Sequence, residues 1–140
     1  MRAILAGVLT AAVGAGAAGL TAHPAHADGG MTVQLPDVSG LPEEEAKALL
    51  SQLAQVNVIT SNCPGYPISD AEWTLVTGTS DRLAARLGLD PQAFDSTYYG
   101  PAFKLLDDPD ACDRVGPTAG QLIDRLVALG GGTTPINQSQ

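Results

Sequence analysis

Residues 107–117 read DDPDACDRVGP, four aspartates around one cysteine and the densest set of chemically capable side chains in the chain. Carboxylates at this density suggest a hard cation or an acid–base pair. A calcium loop spaces its oxygen ligands by twos and closes on a bidentate Glu. Here Cys112 takes an alternate ligand's place, Pro109 stiffens the middle and no Glu follows. An acid–base pair needs two carboxyls driven to different pKa values on either side of a cleft, which neighbouring solvent-facing aspartates do not provide. The pattern therefore predicts an Asp-capped turn: Asp108 before Pro109 starts a brief helical turn and Cys112 pins it elsewhere. No metal and no cofactor are expected.

Cys112 has one possible partner within the chain, Cys63. Asp110 and Asp113 flank Cys112 and disfavour a thiolate, so a nucleophilic role does not suit it. The compartment supports pairing. The chain opens MRAILAGVLTAAVGAGAAGLTAHPAHADGG, with Arg2, an apolar Ala/Gly-rich run and an Ala25-His26-Ala27 triplet, which is the layout of a secretory signal peptide. We expect residues 1–27 to be a signal peptide, 28–130 a disulfide-stapled helical domain and 131–140 a disordered C-terminal tail. The protein would be secreted or periplasmic, where a Cys63–Cys112 bridge forms and persists.

Cleavage after Ala27 would remove both histidines, His23 and His26; a cut after Ala22 would keep them only on a loose N-terminus. Without imidazole, Ser-His-Asp and Cys-His catalysis lose their base and most zinc sites lose a ligand. Without residues 1–27, six basic residues stand against fifteen acidic ones, a formal charge of −9. So acidic a chain has no electrostatic reason to seek nucleic acid or an anionic membrane surface. No stable membrane insertion is expected after cleavage, and the oligomeric state is left open.

The other candidate site is aromatic. STYYGPAF brings Tyr98, Tyr99 and Phe103 together, and Tyr66 lies beside the first cysteine; these are four of the six aromatics in the chain. They either lid a core poor in aromatics or anchor a partner near a Gly-Pro turn. As candidate binding residues we take Tyr66, Tyr98 and Tyr99, with Tyr66 brought near the pair by the disulfide.

The elements that must carry these groups read mainly as helix. MTVQLPDVSG alternates Met31, Val33 and Leu35 as a short strand ended by Pro36. LPEEEAKALLSQLAQV follows as a helix, with Glu43–Glu45 complementing its dipole, Glu43 and Lys47 at pairing distance, and an apolar stripe of Ala46, Leu49, Leu50, Leu53 and Val56. The stretch LPDVSGLPEEEAKALL, with its PDV-x-G turn and A-x-x-L spacing, resembles the opening strand-turn-helix of a PASTA domain, the wall-sensing repeat of some bacterial kinases and penicillin-binding proteins. The resemblance covers sixteen residues and implies local strand-helix geometry, with no functional residue carried over.

NVIT would be a second short strand. Ser69 to Glu72 forms a capping box for a helix burying Trp73, Val76, Leu83, Ala84 and Leu87 and ending at Gly88, with Gly78 a place where it could break. Glu72 is then a cap partner rather than a general acid. Asp90-Pro91 starts a short helix that ends before YYGP, and PAFKLL could add a turn or two. Thr118 to Gln121 is a further capping box for a last helix with Leu122, Ile123, Leu126 and Leu129 on one face, stopped by Gly130.

The expected fold is a mainly α, small single-domain helical bundle with a short N-terminal strand-helix segment and one disulfide. The expected function is a non-catalytic exported domain binding a protein or cell-envelope component. The alternatives are a small hydrolase working with carboxylates alone and a carrier of a small apolar ligand between helices.

Overall fold

The structure is a computed structural model and describes residues 30–136. It is mainly helical. The expected signal peptide lies outside the described residues.

The longest helix among the described residues, α1 (Glu43–Asn62), forms the axis of the bundle. Its three glutamates occupy the first turn, where the unpaired N–H groups favour negative charge. Lys47 closes onto Glu43 at 2.6 Å and Glu44 at 3.1 Å. Leu49, Leu50, Leu53 and Ile59 are fully enclosed, and Ala54 and Val58 are buried against Ala102 on another side. Apolar positions so widely spread round one helix mean that it is covered by neighbours on most sides. The expected strand at NVIT is part of this helix. Val58 and Ile59 are β-branched, but their burial outweighs the few tenths of a kcal/mol by which such residues disfavour helix.

Helix α2 (Asp70–Arg86) begins at the predicted capping box: Ser69 accepts from the Glu72 N–H, and the Glu72 carboxylate accepts from the Ser69 N–H at 2.8 Å. It runs unbroken through Gly78. There the missing Cβ admits Leu35, whose Cδ2 would stand 2.8 Å from a methyl group at that position. Buried Thr79 and Ser80 donate to the carbonyls of Leu75 and Val76, so neither hydroxyl is stranded in the core. The helix ends in a Schellman turn at Gly88 (φ 67°), where Leu89 N–H reaches the Ala84 carbonyl.

Asp90 caps α3 (Pro91–Phe94) by accepting from the Ala93 N–H at 2.8 Å. The chain then continues helically where a stop was expected. A π turn, Asp95–Tyr99, closed by Gly100 N–H to the Asp95 carbonyl, leads into α4 (Gly100–Lys104) and a 3-10 turn, Leu105–Asp107. Pro101 is accommodated because it falls in the first turn of α4, where its missing donor is not needed.

Helix α5 (Ala111–Val115) and a 3-10 turn, Gly116–Thr118, precede α6 (Ala119–Ala128). The capping box predicted at Thr118 does not form: the preceding 3-10 turn leaves this residue in helical geometry, and its hydroxyl donates back to the Val115 carbonyl at 2.6 Å. Leu122, Ile123 and Leu126 face the core as predicted, and a second Schellman turn at Gly130 (φ 96°) ends the helix.

Residues 31–38 form no strand, and their pairing among the described residues is a single bridge, Val33 to Pro135; a turn follows at residues 39–41, where Leu41 N–H donates to the Val38 carbonyl. They are held between α2 and the C-terminal segment. Arg82 and Arg86 donate to the carbonyls of Pro36 and Leu41, Asp37 N–H donates to the Leu129 carbonyl, and Ile136 N–H donates to the Thr32 carbonyl. The tail expected to be loose from residue 131 is thus tied down through 136, because the N-terminal segment supplies its backbone partners. Residues 137–140 lie outside the described residues.

Gly116 carries a test of the packing. A Cβ there would lie 2.3 Å from Cγ of Tyr66. Gly116→Ala should therefore displace the ring and cost about 1–3 kcal/mol, the usual range for overpacking. In urea melts, Tyr66→Ala should weaken this penalty by at least half, and equal penalties in both backgrounds would refute the contact.

Candidate functional site

The disulfide is formed: Cys63, first residue past α1, joins Cys112 in α5 with Cα atoms 5.7 Å apart. Around it the aspartate loop combines local ties with one contact to a distant segment. Asp108 accepts from the Asp110 N–H at 3.0 Å and pairs with the Arg114 guanidinium at 2.7 Å, and these two contacts hold its carboxyl below the ordinary Asp range. Asp113 accepts from the Tyr66 hydroxyl at 2.7 Å. Losing that proton beside a carboxylate is unfavourable, so the Tyr66 phenol is raised above its ordinary value, chiefly by this hydrogen bond. With its ring against Gly116, Tyr66 works as a clasp over the disulfide region.

The three candidate tyrosines do not converge. Tyr66 follows the C-terminal end of α1, whereas Tyr98 lines a small recess with Glu43 and Lys47 from the first turns of that helix. A helix of 20 residues is about 30 Å long, so the disulfide brings Tyr66 to the wrong end of α1. Tyr98 and Tyr99 are successive residues of a helical turn and point in different directions. Tyr98 packs toward Leu87 and Leu89, while the Tyr99 hydroxyl accepts from Nδ2 of Asn57 at 2.8 Å.

Tyr99 instead belongs to an aromatic face that the sequence does not announce. The other end of the Asn57 amide accepts from Trp73 Nε1 at 3.1 Å. Tyr99 meets Phe94 edge-on, with ring centroids 5.2 Å apart, and stands 6.4 Å from Phe103. Trp73 is 47% exposed and Phe103 53%. The Trp73 ring, expected in the core, lies outside because α2 turns Leu75 and Val76 inward and its indole N–H finds Asn57 at the surface. Beside Tyr99 and Phe103, the residues Pro91, Gln92, Asp95 and Ser96 line an open, mostly apolar groove along α3 and α4. The face offers exposed aromatic surface held in place by one amide.

Among the described residues no three His, Cys, Asp or Glu side chains are grouped to hold a metal ion, and no helix is long and apolar enough to cross a membrane. No protein-family model matches the chain, and no curated protein or solved structure shows significant similarity to it.

Proposed function

We propose that the protein is an exported, non-catalytic binding module that contacts a protein or cell-envelope partner through the face formed by Trp73, Tyr99 and Phe103. The observation that supports this reading is the exposure of Trp73 and Phe103 in a chain with only six aromatics, next to a Tyr99 whose hydroxyl is tethered by Asn57. Large aromatics concentrate binding energy at protein interfaces, and tethering one in advance reduces what is lost on ordering it. Tyr66, Tyr98 and Tyr99 as a joint contact patch give way to this face, with Tyr99 retained.

The test is retention of a partner from an extracytoplasmic extract by the immobilised protein, scored beside a thermal melt. Trp73→Ala and Phe103→Ala should each weaken retention by roughly tenfold or more, with the melt little changed because both rings are half exposed. Tyr66→Phe should leave retention intact. Unchanged retention in both aromatic variants would remove the face from consideration.

A further inference from the structure

A second groove lies on another side of the bundle, between α1, α5 and α6, with a volume of about 430 Å³. That is within the roughly 300–1,000 Å³ of small-molecule sites. Its composition is unusual for this chain. The described residues carry six basic side chains against fourteen acidic ones, yet Arg114 and Arg125 both line the groove and no carboxylate does. Three amide side chains, Gln52, Gln55 and Gln121, line it as well. Val56, Val115 and Leu122 are buried and supply an apolar floor.

The two guanidinium groups are not equally occupied. Arg114 is held by Asp108 at 2.7 Å, which positions it and uses one edge of its fork. Arg125 lies 3.9 Å from Glu45, close enough for an ion pair but beyond hydrogen-bonding distance, so among the described residues its guanidinium N–H donors have no hydrogen-bond acceptor. The disulfide places Arg114 against α1, since Cys112 is two residues before it and Cys63 follows α1 directly. Arginine is matched to carboxylate by its two parallel N–H donors, and a glutamine amide both donates and accepts, as a peptide group does.

From these features we propose that the groove binds the free C-terminal carboxylate of a short peptide with small side chains. Arg125 takes the carboxylate with Arg114 in support, the glutamines pair with the adjoining peptide groups, and methyl-sized side chains rest on Val56 and Val115. The site is separate from the aromatic face and does not depend on it.

The probe is N-acetyl-Ala-Ala, titrated into the oxidised full-length protein labelled with nitrogen-15, with its C-terminal amide and inorganic phosphate as comparisons. Saturable shifts are expected at Gln52, Gln121 and Arg125 with a dissociation constant near or below about 1 mM. The amide-capped peptide and the Arg125→Gln variant should each bind at least tenfold more weakly, while Phe103→Ala should bind unchanged. Arg125 is half exposed, so Arg125→Gln should keep the wild-type spectrum away from the groove. Absence of saturable shifts by about 10 mM, equal binding of acid and amide, or equal binding by Arg125→Gln would overturn the proposal. Phosphate binding as tightly as the peptide would reduce the site to a general anion contact and overturn its peptide character.

Discussion

Replacing Cys63 and Cys112 together by alanine is expected to lower the unfolding free energy by about 4 kcal/mol. The bridge spans 49 residue steps, and a crosslink of that span removes a correspondingly large set of conformations from the unfolded chain. Alanine is preferred to serine because Cys63 is buried, and a hydroxyl there would add a desolvation penalty unrelated to the bridge. The native state loses little else directly, but the loss is local in its consequences. Helix α5 has five residues and no side-chain cap, too short to hold helical geometry without tertiary support. Amide exchange should therefore accelerate first between residues 108 and 118, together with the Tyr66 clasp. Urea denaturation of the oxidised protein and the double variant measures the total, and the variant's larger unfolded surface should also steepen the transition. A loss below about 1 kcal/mol would mean that the α1–α5 contact is held by packing and that the bridge is redundant.

Leu53→Ala is expected to cost about 3 kcal/mol, within the 2–5 kcal/mol found for emptying a core leucine site. Leu53 is fully buried at the middle of α1, the helix that meets α2, α5 and α6. Its removal leaves a void that no single neighbour can fill without disturbing another. Alanine's better helix propensity returns only a few tenths of a kcal/mol, so the packing loss decides the sign. Leu106, 40% exposed, is the control, and Leu106→Ala should stay within about 0.5 kcal/mol. Equal losses in the two variants would show that the core does not centre on α1.

Much of the helical organisation was legible because it rests on contacts between near neighbours. The Ser69–Glu72 capping box, the Asp90 cap and the Gly88 and Gly130 stops are backbone-satisfying devices that operate within a few residues, so their signals sit in adjacent letters. Thr118 shows the limit of such signals: the right residues were present, but a 3-10 turn had already supplied helical geometry upstream. The length of α1 was not legible, since β-branched residues near its end favour strand until neighbours bury them. The π turn at Asp95–Tyr99 was equally hidden, and it extends one continuous helical path from α3 to α4.

The sequence by itself determined where most helices start and stop, that two cysteines were available to pair, and that Asp108 would serve a turn. Each follows from chemistry acting over a few bonds or from a choice with one available partner. Only the tertiary structure decided which residues of distant segments meet. Asn57 joins Trp73, 16 residues away, to Tyr99, 42 residues away, and Arg114 and Arg125 come to line one groove with Gln52. Those meetings depend on how the helices cross and on which face each buries, and that is settled by the joint packing of all the apolar side chains rather than by any one stretch.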